Sequence, residues 1–267
     1  MRALLRTPLA PIALLACLCA CEGLDVATGA AYMQSRVRGD SALGDSTGGS
    51  LPPTRISQSR DLGLGDDDPA VMLFGEVSRD EWHFRGNFFT FQDRGTGVLP
   101  GPYGDLPAGS AVTADFDFVG ARIDATYDVV DLDYFQLGVG GAVDYFDLDI
   151  DLDAVGLAQR ESLESDVLVP MPFVRAHLTE GIVTGDVSIG GMGGDFGDGD
   201  GVWIDFESML RVRPTSMIEF FGGYRWLRID GDGVVDRHAY LADFEISGWF
   251  VGGAIHFSKP RREPSLF

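Results

Sequence analysis

The sequence predicts an all-β protein, an antiparallel up-and-down transmembrane β-barrel of about ten strands, with eight as the alternative. Three observations carry this expectation. Long segments alternate apolar and polar residues, which is the period of a strand with one apolar and one polar face. Opposite charges fall across from each other in hairpin after hairpin, always on the less apolar face. Long polar connections alternate with tight turns, the asymmetry of a barrel with trimmed periplasmic turns and elaborated outer loops.

Composition narrows the class. The chain has 267 residues, 36 Gly, 41 acidic against 20 basic residues, and a formal net charge of -21. That length suits one barrel, and the charge excludes a nucleic-acid binder. Apart from a shorter N-terminal segment, no apolar run reaches the roughly 18 to 20 residues of a membrane-spanning helix. Spanning by strands needs no such run, because alternate positions can be polar. Lys259 is the sole lysine among the basic residues. The arginines suit buried ion pairs, since the planar guanidinium keeps its charge and satisfies several acceptors.

The opening MRALLRTPLAPIALLACLCAC has Arg2 and Arg6, an apolar core and small residues beside cysteine, an export signal over residues 1–20. Its end resembles the lipobox of bacterial lipoproteins: Leu18, Cys19, Ala20 and Cys21 fit the pattern, which makes Cys21 the lipidated residue. Leu14, Leu15, Ala16 and Cys17 fit nearly as well, leaving Cys17 as the alternative. All three cysteines lie between 17 and 21, so neither a disulfide framework nor a cysteine metal site is expected. Residues 21–53, rich in Gly, Ser, Asp and Pro, read as a flexible lipid-anchored tether.

The barrel is expected over residues 54–258. Residues 54–65 read either as the end of the tether or as a weak first strand. Residues 69–78 and 81–92 then alternate around a turn at Arg79 and Asp80, and a centre between those two sets Glu76 across from His83. His83 reads as a satisfied interior histidine. In 121–129, Ile123 and Tyr127 share one face with Ala121, Ala125 and Val129, while Arg122, Asp124, Thr126 and Asp128 share the other. Phe116 and Phe118 have the opposite parity, which predicts a bulge near Val119 and Gly120. In 202–213, Ile204 and Phe206 oppose Asp205, Glu207 and Arg211. In the last hairpin Ile218, Phe220, Tyr224 and Trp226 are expected to face lipid, with Arg225 on the polar face.

Pairing arithmetic around the turns sets Arg122 opposite Asp144, Arg175 opposite Asp186, Arg211 opposite Glu219, and Arg225 between Asp205 and Asp243. The simplest cause is a narrow lumen in which every buried charge must have a partner. Such pairs are expected to fill and stiffen the interior. Long outer loops are expected at 93–110, 151–165, 193–201 and 230–238. Nine strands are clear from residue 69 onward. Since barrels of this kind have even numbers, residues 54–65 are expected to supply the tenth, unless 69–78 stands apart and eight remain.

GYRWLRID (223–230) followed by GWFVGGAIHF (248–257) resembles the closing strands of small OmpA-like outer-membrane barrel proteins. The resemblance implies that the outward aromatic Phe257 is read by the barrel-assembly machinery, and that outer-membrane lipids and lipopolysaccharide surround the strands. A basic tail, 259–267, departs from the pattern. The motifs imply architecture and no particular activity.

The functional expectation is a non-enzymatic surface protein of the bacterial outer membrane with a structural, adhesive or small-solute role. One alternative is an outer-membrane enzyme. His256 and Ser258 resemble part of the lipid A deacylase motif, although Lys259 stands where that family has Asn; Asp236, His238, Asp198 and Asp200 faintly resemble the omptin proteases. Another alternative is a soluble lipocalin-like lipoprotein with its apolar face inward around a ligand. No cofactor is expected. Ca²⁺ at 147–151 or 194–201 is a minor alternative, because DxDxDG is incomplete there.

Overall fold

The structure, a computed structural model, describes residues 23–45, 51–52, 54–65, 68–156, 159–196, 199–235 and 238–258. It is one eleven-stranded antiparallel sheet. The strands are β1 (Asp25–Leu43), β2 (Ile56–Ser57), β3 (Asp68–Arg79), β4 (Trp82–Val98), β5 (Ala111–Leu132) and β6 (Phe135–Ala154), followed by β7 (Arg160–Glu180), β8 (Val183–Phe196), β9 (Gly199–Val212), β10 (Ile218–Val235) and β11 (His238–Ser258). Each long strand pairs with its sequence neighbour, and β1 closes on β11 from Asp25↔Ser258 to Leu43↔Tyr240. Leaving aside the two-residue β2, this is a ten-stranded closed barrel, and closure removes the exposed edges of an open sheet.

The tenth strand is β1, which lies within the stretch read as a tether, and not residues 54–65. The lower part of its inward face is nearly bare, with Ala27, Gly29 and Ala31 below Met33 and Val37. Large rings from elsewhere take that space, and a Cβ at Gly29 would stand 2.5 Å from the Phe74 ring. Small residues on both faces leave little apolar contrast, so the period of two is faint in the sequence. Residues 54–65 form a cap instead. Ile56 and Ser57 pair with Ser41 and Asp40 of β1, and Leu62 and Leu64 are buried. The cap's backbone lies against the inner side of upper β4, where a Cβ at Gly97 would fall 1.7 Å from the carbonyl oxygen of Asp61. Leu99, Tyr103 and Leu106, from the β4–β5 connection, complete the roof. Burial pushes the Tyr103 phenol up to about 12.

The expected outer loops are mostly strand. β5 runs for 22 residues, β7 and β11 for 21 each, against roughly 9 to 11 for a membrane crossing. β8 ends at Phe196 and β9 begins at Gly199; β10 ends at Val235 and β11 begins at His238. Acidic residues there still alternate with apolar ones or glycine, so the polarity that suggests loops belongs to the outer face of protruding strands. Both chain ends of the barrel and the tight turns after Arg79, Leu132, Glu180 and Val212 lie at the opposite rim. That rim is the periplasmic one in a barrel of this kind.

No bulge occurs at Val119 and Gly120. The β4–β5 ladder is unbroken from Trp82↔Tyr127 to Val98↔Ala111, and the register shift of β5 lies between Asp128 and Val130. Phe116 and Phe118 point inward, as Arg122 and Asp124 do farther down the same strand. The parity is constant; what changes along β5 is the kind of residue placed inside.

Candidate functional site

The candidate site is the lumen, which has a charged lower part and an apolar upper part. At its middle, Arg122 and Arg225 both reach Asp205 Oδ2, at 2.7 and 2.6 Å. Arg225 also donates to Asn87 Oδ1 at 2.9 Å, and Trp203 Nε1 donates to Asp144 at 2.8 Å. One step lower, Arg85 bridges Glu207 at 2.8 Å, Ser188 at 3.2 Å and Asp124 at 3.4 Å. Lower again, the two oxygens of Glu76 accept from Arg175 and Arg211, each at 3.0 Å, and Asp186 sits between the same two guanidiniums at 2.9 and 2.8 Å. Arg85, Arg122, Arg175 and Arg211 each span more than one carboxylate, and Arg225 spans Asp205 and the Asn87 amide, which a lysine's single ammonium could not do as well.

At the periplasmic mouth His83 meets Asp128 at 2.8 Å and His256 meets Glu219 at 3.0 Å. His177 contacts Asp186 at 2.8 Å and the Thr179 hydroxyl at 3.0 Å. This hydroxyl, imidazole and carboxylate stand in the order of a hydrolytic triad. Asp186 is already held by two guanidiniums, however, so its charge is spent on the ion network rather than on orienting and charging the imidazole.

Above Asp205 the interior turns apolar. Arg225 stacks over the Phe89 ring at 4.7 Å and Arg122 over Phe173 at 5.1 Å, so the two arginines face carboxylates on one side and rings on the other. Phe146 stacks on Trp203 with ring centroids 4.7 Å apart. Phe91, Phe116, Leu148, Ile150 and Phe244 fill the space up to the cap.

The expected lumen residues are placed as follows. Arg122 pairs with Asp144 in register, but its hydrogen bonds go to Asp205 and Glu207. Glu76 faces Arg85, not His83, because the turn is at Asp80 and Glu81 and Arg79 pairs with Trp82. Arg175, Arg211 and Asp205 are likewise two positions from the expected partner, opposite Ser188, Phe221 and Leu227. A slip of two keeps every side chain on its face. The diagonal contacts Arg175–Asp186, Arg225–Asp205 and Arg211–Glu219, the last at 3.6 Å, therefore still form.

Asp243 is the exception. Both strands of the last hairpin run farther than expected, Asp243 pairs with Asp230, and Arg225 pairs with Gly248. The shift is an odd number of positions, so Asp243 faces outward, 3.7 Å from Arg228 and away from the lumen. Arg85, Asn87, Ser188, Glu207 and His177 are members that the sequence reading did not assign to the network. Arg85, Ser188, Glu207 and His177 each sit two positions from a residue assigned to the lumen and Asn87 sits four from His83, and that even spacing is the signal that finds them.

Outside, the expected lipid-facing residues all take outward positions. Ile123 is 70% exposed and Phe220 59%, whereas Arg225 is 2% exposed. Ile218 and Tyr127 are also exposed, while Ile204, Phe206, Tyr224 and Trp226 are partly covered by outward neighbours. Trp82 and Tyr127 stand near the periplasmic edge, and Tyr32 and Trp249 stand higher. In the lower barrel the apolar residues are outside and the ions inside, which excludes the lipocalin-like alternative, whose polarity there is the reverse.

Among the described residues, those proposed for enzymatic or metal roles are dispersed or otherwise engaged. His238 Nδ1 bonds the Gly44 carbonyl oxygen at 2.8 Å, and His256 belongs to the periplasmic mouth. Asp147, Asp149 and Asp151 lie on the outer face of β6, with Asp151 engaged by Arg160. Cys17, Cys21, Asp198, Asp236, Lys259, the signal segment and the basic tail lie outside the described residues.

No family model matches the chain, and no curated protein matches it in sequence. Solved structures do resemble it. The outer membrane protease OmpT from Escherichia coli is similar over 87% of this chain and 96% of that one, with a TM-score of 0.54 and 6% identity. Ail, the attachment invasion locus protein of Yersinia pestis, is similar over 88% and 99%, with a TM-score of 0.40 and 13% identity. For the Neisserial surface protein A the figures are 88% and 97%, 0.34 and 9%. The fold is that of an outer-membrane β-barrel. The outward apolar belt of this chain agrees with that fold, and the protein belongs in the bacterial outer membrane.

Proposed function

We propose that the protein is a non-enzymatic, non-conducting barrel that holds a rigid acidic β-structure above the outer membrane, in a structural or adhesive role. The observation that carries this reading is the filled lumen. The buried arginines 85, 122, 175, 211 and 225 are bridged by carboxylates across the lower barrel, and aromatic packing and a cap occupy the upper barrel. A cavity of about 310 Å³ at the periplasmic mouth reaches Glu76, Arg175 and Arg211, but a path for solute would also have to pass the contacts of Arg122 and Arg225 with Asp205 and the aromatic packing above them. In this reading the lipidated Cys21 adds an anchor, lipopolysaccharide surrounds the belt, and the assembly machinery reads Phe257.

Conductance of the purified protein in a planar bilayer tests the reading. The expected result is no steps above baseline for the native chain. Regular openings of the wild-type protein would replace this reading with that of a pore.

A further inference from the structure

The barrel wall is broken in two places. On one side β3 pairs with β4 only up to Val71↔Thr90 and with β1 only up to Ser35↔Asp68, so upper β1 and upper β4 lack a strand between them. The 56–65 cap fills that space. On the other side β7 pairs with β8 only from Glu180↔Val183 to Phe173↔Gly190, although β7 continues to Arg160 and β8 to Phe196. β6 follows β7 along that whole length, and β9 follows β8. The separation is thus confined to the β7–β8 seam, and among the described residues no segment fills it.

The sequence accounts for the parting. Pro170 and Pro172 lie on β7 just above the last paired residue, and neither has an N–H to offer a neighbouring strand. On the facing edge β8 reads Gly190, Gly191, Met192, Gly193, Gly194. A Cβ built on Gly193 would meet only β9 atoms within 4 Å, and one on Gly194 would meet nothing. Met192 has an inward place in the alternation, yet it is 37% exposed and lines an outer groove with Val143, Pro170 and Pro172.

Behind the seam is a narrow cavity of about 80 Å³, lined by Phe146, Leu163, Val167, Val169, Trp203 and Ile229 among others. Its walls are mainly apolar, with Ser165, Asp200, Asp230 and Tyr240 also on the lining. Below it the Trp203–Asp144 hydrogen bond and the ion network close the lumen, so the cavity leads nowhere. Its height is set by the outer face: Val143, Tyr145 and Leu168 are exposed and apolar, and Asp147 and Asp166 follow directly above. By that boundary the lowest part of the seam, at Val169 and Pro170, lies at the top of the lipid belt, and the cavity wall rises from there past Val167 to Leu163, opposite Ile150, so a chain entering from the belt would reach upward into it. Unpaired strand edges are costly in hydrocarbon, and the two prolines reduce the bare donors at this one.

We propose that the β7–β8 seam is a side entrance and that the cavity behind it binds an acyl chain of an outer-leaflet lipid. This rests on the membrane placement of the barrel and is independent of its conductance and of its display role. The full-length protein in bilayers containing a phospholipid with a photoreactive diazirine at the acyl terminus provides the test, with adducts mapped by mass spectrometry. Adducts are expected on inward Leu163, Val169 and Trp203 as well as on outward Leu168. Filling the cavity by Ser165→Phe with Val167→Phe, in a variant that retains the heat-dependent gel shift of the folded barrel, should cut the inward adducts at least about fivefold and leave those on Leu168 unchanged. Adducts confined to outward residues would overturn the proposal. So would inward adducts that persist in the filled variant, or that form from a diazirine fatty acid in the aqueous phase but not from the bilayer lipid.

Discussion

The lower and upper halves of this barrel are built from the same strands with their polarity exchanged. On β5, Ile123 and Tyr127 face outward while Arg122 and Asp124 are buried; some residues higher, Asp115 and Asp117 are outside and Phe116 and Phe118 are inside. A strand's alternation places side chains on two faces, and the solvent on each side decides which chemistry each face carries. Below, the outside is hydrocarbon and the inside must satisfy ions. Above, the outside is water and the inside can be an ordinary apolar core. Arg122 and Arg225 mark the changeover, with Asp205 on one side and aromatic rings on the other.

The comparison is broken most severely at that changeover. Asp205→Ala leaves the Arg122 and Arg225 guanidiniums buried without their shared acceptor, and should cost about 3–5 kcal/mol. Urea unfolding in detergent, followed by the gel shift of the folded barrel, measures the loss. A loss below about 1 kcal/mol would mean that the network is hydrated and the lower lumen is not dry.

A second comparison places the same charge on the outer face at two heights. Ile123→Arg, in the lipid belt, should cost roughly 2–4 kcal/mol in bilayer-based unfolding. Asp149→Arg, on the same face of the neighbouring strand but higher, should cost nothing. Equal effects at both sites would move the membrane boundary away from the Tyr145–Asp147 level.

The smallest effects concern the acidic exterior. Asp149 stands between Asp117 and Glu164 in the ladders, and like charges directly opposite destabilise a sheet. Partial burial, helped by neighbouring acids, raises the Asp149 carboxyl; burial and the Asp68 neighbour raise that of Asp93, which accepts the Gly65 N–H at 2.6 Å. Groups raised in the folded state bind protons more tightly there than in the unfolded chain. Their stabilising contribution is thus complete below the ordinary carboxylate range and disappears as pH rises through the raised values. Protease resistance of the upper strands should increase from pH 7 towards pH 5, and Asp149→Asn should recover about 0.2–1 kcal/mol of it at pH 7. Greater resistance at pH 7 than at pH 5 would show that these carboxylates gain from being charged.

Much of this was legible in the chain itself. Which residues of 121–129 and 202–213 share a face, the direction each face points, and the need for arginine inside all follow from period and burial cost. The pairs Arg175–Asp186 and Arg225–Asp205 survive a two-residue error in the turn because it preserves facing. Asp243 shows the limit: an odd shift sent it outside, and nothing near Asp230 in sequence reveals that both strands continue.

The amino-acid order by itself determined the class of fold, the inverted polarity of the belt and the identity of most lumen charges, since these depend on residues two apart along one strand. Only the folded barrel decided that Asp25–Leu43 closes the ring, that 54–65 caps it, and that β7 and β8 part above Phe173. Each of these depends on what lies across the barrel, such as the Phe74 ring over Gly29 or the Asp61 carbonyl over Gly97, and no local period records such contacts.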